Sequence, residues 1–153
     1  MRRLKLSALA LLVALSVSPM QAAGTVVVTT KAFGSTTGVG KFIQYTVAWT
    51  ATAGGAVSGN AFAIQAGKLV SIRFIPGTVT PTALYDVTMV DIGGTVSSGD
   101  LLSGAGADLS ATTSTIKTFD PPIFEDGTRT IDVIVANAGT STTGTVVLLV
   151  QIS

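Results

Sequence analysis

The stretch KLVSIRFIPGTVTPTALYDVTMVD, residues 68–91, holds two strand-like runs separated by a turn. In the first run Val70, Ile72 and Phe74 alternate with Ser71 and Arg73; in the second Tyr85, Val87 and Met89 alternate with Asp86 and Thr88. Successive side chains on a strand point to opposite faces, so this alternation gives each run one face for burial and one for water. Pro76-Gly77 and Pro81 interrupt the pattern between them. Proline lacks the N–H that a ladder requires, and glycine reaches turn conformations closed to other residues. The two runs are expected to form the central pair of an all-β domain.

Working outward, Lys41–Thr52 alternates in the same way, with Ile43, Tyr45, Val47 and Trp49 on one face. The only tryptophan therefore belongs to the core rather than to a sugar-stacking platform. Thr25–Phe33 differs, because Thr25, Val26, Val27, Val28 and Phe33 put apolar groups on both of its faces. Such a strand is either covered on two sides or pairs with something outside its own domain, which makes these five residues candidate assembly contacts. Phe62 and Ile64 mark a short strand within Ala61–Ala66, after the turn Ala53–Asn60. Residues 92–115 are rich in Gly and Ser but punctuated by Leu101, Leu102 and Leu109, as in a packed loop rather than a linker. Phe119-Asp120-Pro121-Pro122 reads as an extended corner, and Glu125-Asp126-Gly127 as a hairpin turn. Thr130–Ala136 alternates again, and the nearly continuous apolar run Thr145–Ser153 fits mid-sheet. Residues 24–153 are thus expected to form a single domain of roughly seven or eight strands, an antiparallel β-sandwich or jelly-roll-like barrel.

Composition excludes several functions. Hydrophobic residues make up 47% of the 153 and charged residues 11%, a balance that favours a packed core over disorder. Without cysteine or histidine the chain offers no Cys/His zinc site, no Ser-His-Asp triad and no thiol nucleophile. Three of its nine basic residues, Arg2, Arg3 and Lys5, lie at the N-terminus, so from residue 24 onward acidic residues outnumber basic ones. That leaves no basic patch for a phosphate backbone, and no nucleic-acid partner is expected.

The first residues, MRRLKLSALALLVALSVSPMQAAG, have the parts of a secretory signal peptide. A charged start precedes the apolar core Ala8–Val17, Pro19 ends it, and Ala22 or Ala23 offers a cleavage position. Export is expected, to the periplasm, the medium or the cell surface. Membrane contact is expected only through residues 1–23 if they remain attached.

The candidate chemical groups are chiefly eight carboxylates. Asp86 and Asp132 fall on the outward faces of strands, and Asp91, Asp100, Asp108, Asp120, Glu125 and Asp126 fall at strand ends or turns. Turn aspartates usually bind local backbone, so no catalytic residue is expected. Asp120, Glu125 and Asp126 are weak calcium candidates, with Asp100 and Asp108 a second group, but neither has EF-hand spacing. GSTTGVGK, residues 34–41, is not a phosphate loop, because Phe42 and a strand follow the lysine in place of Ser/Thr and a helix. No cofactor is expected. Outward Thr and Ser fit two readings, solubility at low charge or a surface that docks flat on neighbouring copies.

The run Pro81-Thr82-Ala83-Leu84-Tyr85-Asp86-Val87-Thr88, followed by Asp91, resembles a segment of small β-rich structural proteins of tailed bacteriophages. The resemblance continues through the loop Leu102–Thr113 and the strand–Asn-Ala-Gly–strand unit Ile131–Val150, and spans roughly Gly67 to Ile152. It implies a non-enzymatic, virion-associated protein with no catalytic residues. The leading expectation is a structural or assembly protein, in a virion or an extracellular surface layer, partnered by itself or by other structural proteins. One alternative is a filament subunit that exchanges residues 25–33 between copies. Another is a secreted glycan- or ligand-binding module, which would need Trp49 or Tyr85 exposed beside loop carboxylates.

Overall fold

The computed structural model describes residues 24–34, 40–92, 99–123 and 129–152, and for 120–123 the backbone only. Residues 1–23, with the leader, lie outside the described residues. Eight strands follow in order: β1 (Thr25–Phe33), β2 (Phe42–Thr50), β3 (Phe62–Ile64), β4 (Lys68–Pro76), β5 (Asp86–Asp91), β6 (Thr115–Ile123), β7 (Arg129–Ala136) and β8 (Thr143–Gln151). No helix occurs among the described residues. The strands form two antiparallel sheets, β1-β2-β8-β4-β6 and β3-β7-β5, so the chain adopts the all-β architecture read from its alternating runs.

After the β1–β2 pair the chain changes sheet at every strand. This corrects the expectation for residues 68–91. β4 lies between β8 and β6, whereas β5 pairs with β7 in the other sheet. The Pro- and Gly-containing segment between them crosses the end of the sandwich instead of closing a hairpin. Gly77 N donates to Thr143 O at 2.9 Å, and Thr82 N to Ala138 O at 2.7 Å, which anchors the crossing at both ends. Likewise β6 and β7 belong to different sheets, so the segment containing Glu125-Asp126-Gly127 does not join a paired hairpin. Those three residues lie outside the described residues.

A second correction concerns β4. Leu69 pairs with Val150 and Ser71 with Leu149, which leaves Val70 as an extra residue in the ladder. A β-bulge of this kind shifts the alternation by one position. Leu69, Ile72 and Phe74 therefore point inward and are buried, while Val70 does not.

The core lies between the sheets. Ile43, Tyr45, Val47 and Trp49 of β2 and Val146, Leu148 and Val150 of β8 meet Val87 and Met89 of β5 and Ile131, Val133 and Val135 of β7. Aromatic contacts tie the layers together. The Trp49 and Tyr85 ring centroids are 5.9 Å apart, and those of Tyr45 and Phe62 6.3 Å. The Tyr45 hydroxyl accepts a hydrogen bond from Gln65 N at 2.8 Å. Gly144 makes room for the indole, since a Cβ there would stand 2.3 Å from Cζ2 of Trp49.

Candidate interaction surface

Three carboxylates expected at turns or outer faces are engaged by backbone amides. Asp100 accepts from Met89 N and Leu102 N at 3.0 Å and from Gly104 N at 2.8 Å. Asp132 accepts from Gly59 N and Asn60 N. That loop covers it, so Asp132 is buried rather than solvated on the outer face. Asp86 accepts from Asp108 N at 3.0 Å and from Asn137 Nδ2 at 3.0 Å. Asp91 is buried and takes Arg129 as an ion-pair partner at 2.6 Å. Carboxylates committed in this way fix loops and strand ends.

Among the described residues no three Asp or Glu side chains converge as a metal site would require. The calcium candidates Glu125 and Asp126, and the side chain of Asp120, lie outside the described residues. Trp49 is 2% exposed and Tyr85 1%, so neither supplies the stacking surface that a glycan-binding module would use. Burial raises the Tyr85 hydroxyl above its ordinary pKa by disfavouring the phenolate.

What remains available is the outward face of the five-stranded sheet. The register assigns its rows. Thr25, Thr50 and Thr143 form one; Val27, Ala48, Thr145 and Ile75 the next; then Thr29, Thr46, Val147, Arg73 and Ile116. Beyond these come Lys31, Gln44, Leu149, Ser71 and Thr118, and finally Phe33 beside Phe42. Val27 is 63% exposed, Ile116 62% and Phe33 39%, with Phe42, Ile75, Val147 and Leu149 half-buried between them. Lys31 sits over the Phe33 ring, 4.9 Å from its centroid. A shallow depression of about 340 Å³ opens at the threonine-rich end, lined by Thr25, Val27, Thr50, Thr78, Thr143 and Thr145. The face thus sets exposed and half-buried apolar side chains among threonines, with Lys31, Gln44, Ser71 and Arg73 in its rows.

The sheet edges differ in the same direction. Residues 100–109 run along the free edge of β5. Val87 N donates to Gly106 O, Leu101 N to Met89 O, and Leu109 N to Tyr85 O. Gly106 allows this approach, because a Cβ would stand 2.0 Å from the Val87 carbonyl oxygen. The free edge of β1 has no such cover among the described residues.

Of the expected assembly residues, Thr25, Val27 and Phe33 lie on the outward face, while Val26 and Val28 turn inward and pack half-buried against the core. β1 pairs with β2 of its own chain over all nine residues. Reading strands singly missed Phe42, Arg73, Ile75, Ile116, Val147 and Leu149. The signal for two of them, Val147 and Leu149, was the nearly continuous apolar run of β8. In the structure β8 is indeed mid-sheet, between β2 and β4, but buries only one face.

Searches against protein-family models, curated proteins and solved structures found no match.

Proposed function

We propose that this chain is a non-enzymatic structural or assembly protein, virion-associated or part of an extracellular surface layer, acting through protein–protein contacts with itself or with other structural proteins. The observation that carries this reading is the outward face of the five-stranded sheet, which leaves Val27, Phe33 and Ile116 in solvent among threonines. A face of this composition can dock on a partner surface with few ions to desolvate, and its threonine hydroxyls can hydrogen-bond across the contact. The leader supports export, and the resemblance to phage structural proteins supports the virion setting.

Val147→Asp places a carboxylate at the centre of the face without entering the core. Loss of all species above the monomer in light scattering and electron microscopy, with an unchanged far-UV circular dichroism spectrum, is the expected result. Assembly that proceeds normally with the aspartate in place would sink the reading.

Strand exchange through residues 25–33 is a second reading, favoured by how lightly β1 is embedded. It pairs on one edge only, and its burial against the core is confined to Val26 and Val28. In this reading β1 occupies the same place beside β2, but comes from the neighbouring copy. Deleting residues 24–33 is expected to leave a folded monomer that cannot polymerise. Polymers formed by the truncated chain would rule strand exchange out.

A further inference from the structure

Charge is divided between the two layers. Among the described side chains, Lys31, Lys68, Arg73 and Lys117 lie on the strands of the five-stranded sheet, with Lys41 just before β2. The carboxylates Asp86, Asp91, Asp100, Asp108 and Asp132 all lie on the three-stranded sheet or on the loop along its edge. The one cation on that side, Arg129, pairs with Asp91. By register, Lys31 and Arg73 stand on the outward apolar face of the larger sheet. Asp86 stands on the outward face of the smaller one, hydrogen-bonded to the backbone of exposed Asp108 and flanked by half-buried Thr88, Val90, Ile134 and Ala136.

Among the described side chains the two outer faces are thus both largely uncharged, with cations on one and carboxylates on the other. We propose that copies of this chain stack head to tail, the outward face of the five-stranded sheet of one copy docking on the outward face of the three-stranded sheet of the next. Lys31 and Arg73 of one copy then approach Asp86 and Asp108 of its neighbour. This deepens the assembly reading and rests on it. The smaller face sets the size of the contact: three strands about 4.8 Å apart and about six residues long on average make roughly 14 by 20 Å, about 300 Å². That is well under the about 800 Å² per partner of a standard interface, so each contact is a weak one that repeats along the stack. A contact between two different faces leaves one of each unused at the ends, so the stack grows into a filament unless rotation closes a ring. Like faces meeting would instead oppose cation to cation, which costs specificity and affinity.

The test is a pair of charge reversals, Arg73→Glu and Asp108→Lys, examined by light scattering. Each alone is expected to raise the concentration needed for assembly by about tenfold or more, the effect of roughly 1.4 kcal/mol per contact. An equimolar mixture is expected to recover assembly, because Asp108 of the first variant meets Arg73 of the second, and the new Glu meets the new Lys. Raising salt from about 0.05 to 0.5 M is expected to weaken wild-type assembly, since exposed charges are screened over shorter distances. Circular dichroism of each variant checks the fold, and the salt series needs no variant at all. Assembly indifferent to both reversals and to salt would overturn the stacking while leaving the assembly reading intact. A strictly monomeric wild-type chain, including one that instead binds anionic lipid vesicles, would overturn both.

Discussion

Replacing Arg129 with methionine is expected to destabilise the fold by about 3–5 kcal/mol, the cost of depriving a buried carboxylate of its cation. Asp91 and Arg129 are both inward-facing, at the end of β5 and the start of β7, two positions apart across the ladder. The carboxylate side chain is fully buried and the guanidinium 14% exposed, with 2.6 Å between them. Solvent therefore cannot restore what the substitution removes. A fall in melting temperature on the order of 10 °C is expected for a domain of this size. Adding Asp91→Asn to the same chain should recover part of the loss, because the amide carries no charge to leave buried. A single variant as stable as wild type, or a double variant much worse than the single, would show that the pair contributes little.

Asp100→Ala is expected to act on stability and on association together. It removes one carboxylate that accepts from three backbone amides, those of Met89, Leu102 and Gly104. Each lost partner of a partly buried amide costs about 1 kcal/mol or more, so a total of about 2–4 kcal/mol is expected. Residues 100–109 would then release the free edge of β5, baring a second unpaired ladder for edge-to-edge contact. Urea titration should report the stability loss. Static light scattering should report a new association that Val147→Asp does not suppress, because it uses a different surface. Unchanged stability would show that the loop is held by Gly106 and the leucines without the aspartate.

Most of the strands were legible because alternation survives wherever one face meets the core. β2 and β7 show this most clearly, with Ile43, Tyr45, Val47 and Trp49 and then Ile131, Val133 and Val135 all buried as their spacing implies. What the chain's own pattern could not reveal was partnership. β4 and β5 are neighbours in sequence and share a strand-turn-strand signature, yet lie in opposite sheets, because a turn rich in Pro and Gly serves a crossing as well as a hairpin. The bulge at Val70 was hidden for a related reason. Leu69, Val70 and Ile72 are all apolar, so the shifted and unshifted registers read equally well.

The candidate surface was half legible. The two-faced apolar character of Thr25–Phe33 pointed to an unusual strand, and β1 is an edge strand with Val27 and Phe33 turned outward. The remainder of the face is assembled from strands distant in sequence, β2, β8, β4 and β6, whose outward residues align only through register. Val147 and Arg73 become neighbours across the ladder although three strands separate them along the chain. Asp132 shows the converse. Its alternation pointed outward correctly, but the loop at Gly59 and Asn60, which covers it, is set by tertiary structure.

The most direct test of function by surface contact is sedimentation velocity of the purified chain beginning at Gly24, run across a wide range of concentrations at low salt. The expected result is a concentration-dependent shift from monomer to larger species that electron microscopy shows to be regular. A single monomeric boundary at every concentration would contradict self-assembly through the open face.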